Sequence, residues 1–190
     1  ILYVPNSASE TNKLPAVVLT HGYLNNREHQ LPFAIELARR GFVVLTVDRE
    51  GHGNYNNVTN SGAMMATNGL YDSAKYVYNL PFVDKTKVGI TGHSMGGYTT
   101  AMTLYQDAIP TEATVTVEGK KYTGNALGMN LISAGLMQGW STYIYSGANV
   151  SVGMLKATDD EFFFKSKDCN DKPTISRQFL HSQAAASFVK

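Results

Sequence analysis

The sequence predicts an α/β fold, a mostly parallel, doubly wound sheet with helices on both faces. Two observations carry this prediction: short apolar, β-branched runs typical of buried strands recur along the chain, and amphipathic segments separate them. With 190 residues, of which 43% are hydrophobic and 16% charged, the chain has the size of one domain with one core. We therefore expect a single domain over residues 1–190.

The first strand and helix follow each other closely. Residues 16–20 form an apolar run that stops at a His-Gly turn. A helical pattern then begins near Pro32 and ends at Gly41, which suits a glycine just after a helix C-terminus. A second strand is predicted over residues 42–47, and it breaks at the polar, glycine-containing loop 48–53.

The alternation continues after an Asn-rich stretch. Apolar residues recur at helical spacing from Leu70 to Tyr78, and Pro81 ends that pattern. Residues 87–91 predict a third strand, and residues 95–106 predict a helix that begins directly after it. Strands that alternate with helices favour a parallel sheet covered on both faces.

The second half of the chain carries fewer patterns that indicate secondary structure. Residues 114–122 alternate polar and apolar around a Glu-Gly pair, which predicts a small hairpin. The sheet is then expected to resume over residues 126–133. Two further strands are predicted at 150–155 and 174–180.

Composition excludes several classes of protein. With 16 Lys and Arg against 15 Asp and Glu, the net charge of +1 gives no broad positive field, so we expect no nucleic-acid partner. Apolar runs are far shorter than the ~18–20 residues of a membrane span. Cys169 is the only cysteine, which excludes an internal disulfide and a multi-cysteine metal site but leaves the compartment open.

Residues 92–97 (Gly-His-Ser-Met-Gly-Gly) lie between a predicted strand and a predicted helix. A strand that turns into a helix within three residues holds its central serine in a strained conformation and needs glycines on either side. The same turn directs helix N-terminal amides at negative charge that develops beside the serine oxygen. We therefore predict that Ser94 is a nucleophile; the alternative is a tight structural turn.

This motif resembles the nucleophile elbow of the α/β-hydrolases, specifically of their dienelactone-hydrolase and cutinase-like esterase branches. Residues 21–23 (His-Gly-Tyr) and 48–53 (Asp-Arg-Glu-Gly-His-Gly) match further family motifs in order and spacing, and the resemblance covers nearly the whole chain. It implies the α/β-hydrolase fold and an oxyanion hole formed by the backbone amides of Tyr23 and Met95.

The resemblance places the triad acid and base after the nucleophile. Asp160 fits the acid best because apolar residues follow it two and three positions later, and Asp159 is the alternative. His181 is the only histidine after this acid. Residues 178–188 also fit a continuous amphipathic helix, in which case the chain is truncated at its C-terminus and the base lies beyond Lys190.

Fewer residues point to the substrate. Trp140 and Tyr143 are predicted to present an aromatic wall to the substrate, although core packing explains them equally well. The connection that carries them has about fifteen residues, too short for a large lid. No metal-binding or nucleotide-binding motif is present, so no metal and no organic cofactor are expected.

The sequence thus predicts a serine hydrolase that cleaves small-molecule carboxylic esters through an acyl-enzyme on Ser94. The alternative is a non-catalytic or truncated module of the same fold that lacks its general base. Acyl and alcohol specificity, oligomeric state and localisation are not predicted.

Overall fold

The computed structural model describes residues 1–49, 51–53, 69–108, 113–117, 120–124, 131–139 and 150–155. Within them the strands are β1 (Leu2–Tyr3), β2 (Leu14–Thr20), β3 (Val43–Val47), β4 (Val83–His93), β5 (Ala113–Val117), β6 (Lys120–Gly124), β7 (Ala134–Gln138) and β8 (Ser151–Leu155). The helices are α1 (Leu31–Arg39), α2 (Leu70–Tyr78) and α3 (Met95–Ala108), and a short 3-10 turn at Arg27–Gln30 precedes α1.

The described strands form one main sheet in the order β1-β3-β2-β4-β7-β8. Strand β1 runs antiparallel to β3, and every other neighbouring pair is parallel. Helix α1 packs on one face, whereas α2 and α3 pack on the other. The predicted fold class, a mostly parallel sheet wound on both faces, is therefore confirmed.

The register brings the carboxyl ends of the parallel strands to one edge of the sheet. Thr20 of β2 pairs with Val47 of β3 on one side and with Gly92 of β4 on the other. Farther along the same edge, Gln138 of β7 pairs with Leu155 of β8. Loops that follow these strands consequently meet at this edge, where open α/β sheets usually bind ligands.

Alternate residues of the central strands face opposite cores. Val18, Val43 and Ile90 are buried under α2 and α3. Leu19 and Val44, their neighbours in sequence, point to the other face and pack with α1. This two-sided burial explains why the strand sequences are continuous apolar runs rather than an alternating pattern.

Helix α1 ends as its sequence predicts. Gly41 has φ +89°, and its amide donates to the Ala38 carbonyl at 3.0 Å. The Phe42 amide donates to the Leu37 carbonyl at 3.1 Å. These two bonds form a Schellman motif, in which a glycine in the left-handed region stops the helix and satisfies its last carbonyls.

Of the strand predicted at 126–133, the described residues 131–133 are not in a strand, and β7 begins at Ala134. Leu131 and Ile132 are buried but not extended in the sheet, since their amides donate to the Asp107 carboxylate at 3.1 and 2.8 Å. A side-chain acceptor from α3 thus replaces the backbone partner that a strand would supply. Residues 125–130 and the strand predicted at 174–180 lie outside the described residues.

Asp107 also accepts a hydrogen bond from the Tyr71 hydroxyl of α2 at 3.2 Å, so one buried carboxylate joins α2, α3 and the segment that enters β7. Burial raises the pKa of Asp107, and the hydrogen bonds from Ile132, Leu131 and Tyr71 oppose that shift. Burial beside this acid in turn raises the pKa of Tyr71. These hydrogen bonds hold α2 and α3 in place on their face of the sheet.

The other elements agree closely with the sequence patterns. Strand β4 extends the predicted 87–91 at both ends, α3 extends 95–106 by two residues, and β8 matches 150–155 within one residue. The predicted hairpin is present as β5 paired antiparallel with β6. Across the described part of the chain, no helix has both the length and the apolarity that a bilayer crossing requires.

Candidate active site

The turn between β4 and α3 places Ser94 in an unusual backbone conformation. Ser94 has φ +54°, in the left-handed region that side chains other than glycine rarely adopt. Strand β4 ends at His93 and α3 begins at Met95, so a single residue makes the reversal. The side chain is partly buried at the carboxyl edge of the sheet. Such strain on a non-glycine residue is typical of functional positions.

The glycines of the motif are required by close backbone approach. A Cβ on Gly92 would lie 2.3 Å from the Gly96 oxygen, and a Cβ on Gly96 would lie 2.7 Å from the carbonyl oxygens of both Thr20 and His21. Neither position has room for a methyl group. The start of α3 therefore packs directly on the end of β2, which is what the sequence pattern predicts for this turn.

Hydrogen bonds fix the Ser94 backbone on both sides. Its amide donates to the Gln138 carbonyl at the end of β7, at 2.7 Å. Its carbonyl accepts from the amides of Gly97 at 2.9 Å and Tyr98 at 3.3 Å, in the first turn of α3. Among the described residues, the Met95 amide has no acceptor. It is thus a free donor at the helix N-terminus beside the serine.

The loop after β2 lies directly against Ser94. A Cβ on Gly22 would be 3.2 Å from Ser94 Cβ and 3.3 Å from the His93 oxygen. The Asn25 amide donates to the Gly22 carbonyl at 3.4 Å, which closes a turn over residues 22–25. Within the described residues the Tyr23 amide has no acceptor, and the Tyr23 side chain is 55% exposed.

His21 anchors this loop from inside the protein. Its imidazole is fully buried; Nδ1 donates to the Gly22 carbonyl at 2.7 Å and Nε2 accepts from the Arg49 amide at 3.2 Å. These partners fix the neutral tautomer with hydrogen on Nδ1. Burial lowers the pKa of His21, so the ring stays neutral near pH 7.

The loop after β3 supports the same edge. Asp48 accepts hydrogen bonds from the backbone amide and the guanidinium of Arg27 at 2.8 and 2.7 Å, which ties it to the segment before α1. Gly53 has φ +58°, and a Cβ there would lie 2.4 Å from the Asp48 carboxyl carbon. Arg49 is buried, and burial lowers its pKa to about 10. The motif 48–53 is thus a scaffold for the neighbouring loop.

Several contributors to the site are not apparent in the sequence. Gln138 holds the Ser94 amide, and its side chain donates to the Thr91 hydroxyl at 2.9 Å. His29 and His93, both exposed, approach each other at the rim with ring centroids 6.2 Å apart. These contacts join segments far apart in the chain, so only the pairing of strands reveals them.

The structure brings three of the predicted site residues together, since Tyr23 and Met95 flank the turn that carries Ser94. The predicted acid and base, Asp160 and His181, lie outside the described residues, as do the predicted substrate residues Trp140 and Tyr143. The roles of all seven residues stay predictions. Among the described residues, no three His, Cys, Asp or Glu side chains group as metal ligands.

Comparison with protein families matches residues 11–118 to the family described as "Serine aminopeptidase, S33". This stretch is more than half of the 190 residues, and it includes both the His-Gly loop and the turn at Ser94. The chain belongs to this family. It accordingly belongs to the α/β-hydrolase superfamily, as the motifs predict, whereas the dienelactone-hydrolase and cutinase-like branch stays a prediction.

Relatives of this S33 family member include "Probable dipeptidyl-aminopeptidase B" of Arthroderma benhamiae, 31% identical over 115 residues, and the same-named protein of Trichophyton verrucosum, 30% identical. Each match covers 55% of this chain but only 12% and 13% of the relative. The chain thus spans about an eighth of the length of these curated relatives.

Solved structures show the same fold. The α/β-hydrolase GrgF from Penicillium matches with a TM-score of 0.52 and 16% identity, over 75% of this chain and 40% of that one. An esterase from Pyrobaculum calidifontis matches with a TM-score of 0.52 and 23% identity, over 72% of this chain and 39% of that one. At these identities the similarity is evidence for the fold alone.

Proposed function

We propose that this S33 family member is a serine hydrolase that cleaves carboxylic esters through an acyl-enzyme on Ser94. One observation carries the proposal: Ser94 is held at φ +54° between a strand and a helix, with the Gly22 loop packed against it. A strained serine beside unused amide donors is the arrangement that acyl transfer needs. A purely structural turn would give no reason to keep a strained serine there in place of glycine.

In the proposed reaction the Ser94 hydroxyl oxygen attacks the ester carbonyl while His181 accepts its proton. The amides of Tyr23 and Met95 donate to the tetrahedral oxyanion. His181 then protonates the departing alcohol, which leaves an acyl group on Ser94, and water releases the acid by the same steps in reverse roles. Asp160 orients the imidazole and stabilises its cationic form.

Chain topology supports Asp160 as the acid. Strand β8 ends at Leu155, and its register with β7 puts that end at the same edge as Ser94. The Leu155 carbonyl accepts from the Gly139 amide at 2.7 Å, next to the residue that binds the Ser94 amide. Asp160 follows five residues later in the sequence, in the connection after β8.

The substrate class has a second candidate, an N-terminal peptide bond. The family name and the dipeptidyl-aminopeptidase relatives favour it. We favour esters because of the exposed, apolar rim next to Ser94: Tyr23 is 55% exposed and Leu24 79% exposed. With Trp140 and Tyr143, these side chains would offer apolar contact to an acyl group rather than charge to a peptide amine.

Three measurements test the proposal. A fluorophosphonate probe should label the wild type and not Ser94→Ala; equal labelling of both proteins would disprove the nucleophile. A series of p-nitrophenyl esters measured beside aminoacyl p-nitroanilides then identifies the substrate, and faster cleavage of the anilides would favour the peptidase. Parallel assays of Asp160→Ala and His181→Ala test the base and its partner, and absence of labelling in the wild type would favour the non-catalytic alternative.

A further inference from the structure

We propose that His21 is a positioning residue for the oxyanion hole, because its hydrogen bond to the Gly22 carbonyl fixes the peptide unit whose N–H belongs to Tyr23. This inference rests on the proposed function, in which the Tyr23 amide binds the oxyanion. His21 itself contacts no substrate and lies in the loop that follows β2.

The argument begins with peptide geometry. The Gly22 carbonyl and the Tyr23 N–H belong to one planar peptide unit and point in opposite directions. Whatever holds the carbonyl therefore aims the N–H. The Gly22 oxygen accepts from His21 Nδ1 at 2.7 Å and from the Asn25 amide at 3.4 Å, so the shorter bond comes from the imidazole.

The imidazole can hold that carbonyl because it is itself fixed. It is fully buried, and its Nε2 accepts the Arg49 amide of the β3 loop at 3.2 Å. The ring thus joins the loops that follow two neighbouring strands, β2 and β3. Rotation of the ring would break both of these hydrogen bonds.

The same bonds make the Tyr23 amide a stronger donor. A carbonyl that accepts a hydrogen bond polarises its own peptide N–H, and successive bonds of this kind reinforce one another. The series runs from the Arg49 amide through His21 to the Gly22 carbonyl and ends at the Tyr23 N–H. It strengthens donation to an oxyanion without placing a full charge beside the substrate carbonyl.

The series needs a neutral imidazole, because only neutral Nε2 accepts a hydrogen bond. Among the described residues, the charged or titratable groups that face the ring are His52, whose centroid lies 5.1 Å away, Arg49, which is buried in the same loop, and Asp48. His52 and Arg49 disfavour a second positive charge at the ring, whereas Asp48 favours it. Burial of the ring also disfavours the charged form.

Three variants test the proposal by steady-state hydrolysis of p-nitrophenyl acetate. Asn carries an amide N–H near the position of Nδ1, so His21→Asn should keep kcat within about fivefold of wild type. His21→Ala should lower kcat about 10- to 100-fold and leave KM within about threefold, because the oxyanion exists only in the transition state. Val43→Ala, a fully buried substitution on β3, controls for lost stability and should leave kcat unchanged.

Inhibition by a phenylboronic acid, whose adduct with serine places an oxygen in the oxyanion hole, supplies a second measurement. His21→Ala should weaken inhibition by the same factor that it lowers kcat/KM, and His21→Asn should not. If His21→Ala does not fold, His21→Gln, whose amide lies nearer Nε2, takes its place and should be slower than His21→Asn.

The outcomes separate this inference from the proposed function. Labelling of Ser94 by fluorophosphonate together with equal kcat values for His21→Ala and Val43→Ala would overturn the role of His21 alone. Equal losses in His21→Asn and His21→Ala would overturn it too, since donation from Nδ1 would then be irrelevant. Undiminished ester hydrolysis by Ser94→Ala would overturn the proposed function and this inference with it.

Discussion

The contact between the β2 loop and the nucleophile leads to a quantitative prediction for Gly22→Ala. The new Cβ would stand 3.2 Å from Ser94 Cβ, whereas carbon atoms prefer about 3.5–4.0 Å. The loop and the serine must therefore separate by about 0.3–0.8 Å. Backbone strain plays no part, since the φ of Gly22 lies outside the left-handed region.

That displacement predicts a lower kcat. A misplacement of about 1 Å in an active site costs about 100-fold, so on a logarithmic scale this separation should lower kcat about 4- to 40-fold. Stability should change by less than about 1 kcal/mol, because a Gly→Ala change also restricts the unfolded chain. The assay is ester hydrolysis with thermal unfolding measured on the same samples.

Gly89→Ala is the matched control for this experiment. Gly89 lies on β4, the strand that leads to Ser94, and a Cβ there meets the Ala134 oxygen at 3.6 Å, an ordinary contact. Its kcat should stay within about twofold of wild type. Equal kcat values for the two variants would refute the reasoning, because the contact at Gly22 would then have no bearing on the reaction.

Three further predictions concern stability. Asp107→Ala should lower the free energy of unfolding by about 3–6 kcal/mol in urea denaturation, because two buried amides and a hydroxyl lose their acceptor, whereas Tyr71→Phe, which removes one of these bonds, should cost about 1 kcal/mol. Leu24 has φ +59° and is 79% exposed, so Leu24→Gly should be about 1 kcal/mol more stable than Leu24→Ala; equal melting temperatures would contradict this. The lowered pKa of His21 means that the unfolded chain binds the extra proton first, so stability should fall as the pH drops below 6.5 toward the folded-state value, and His21→Asn should lack that part of the slope.

Local sequence patterns were sufficient to predict most of the described fold. Continuous apolar runs predicted β2, β3 and β8 within two residues at each end, and Gly41 predicted the end of α1 because its left-handed conformation is a local property. The turn at Ser94 was predicted for a similar reason, because its close backbone contacts require glycines and those glycines are visible in the sequence.

What the sequence did not predict depends on contacts between distant segments. The sheet was expected to resume over residues 126–133, but the Asp107 carboxylate accepts the amide hydrogen bonds of Leu131 and Ile132, and no local sequence pattern indicates that contact. Gln138 was missed for the same reason. Its role depends on β7 lying next to β4, which is a property of strand order.

Strand order also explains why the proposed nucleophile lies at this position. From β2 the chain crosses to β3 on one side through α1, and from β3 it crosses to β4 on the other side of β2 through α2, so the two connections run in opposite directions and on opposite faces of the sheet. Such a reversal opens a crevice at the carboxyl ends of β2 and β4, where loops cannot close over each other. Ile90 of β4 is fully buried, yet four residues later Ser94 reaches the surface in that crevice. The topology therefore determines where the proposed nucleophile lies, and the glycines around Ser94 allow the close backbone contacts that hold it there.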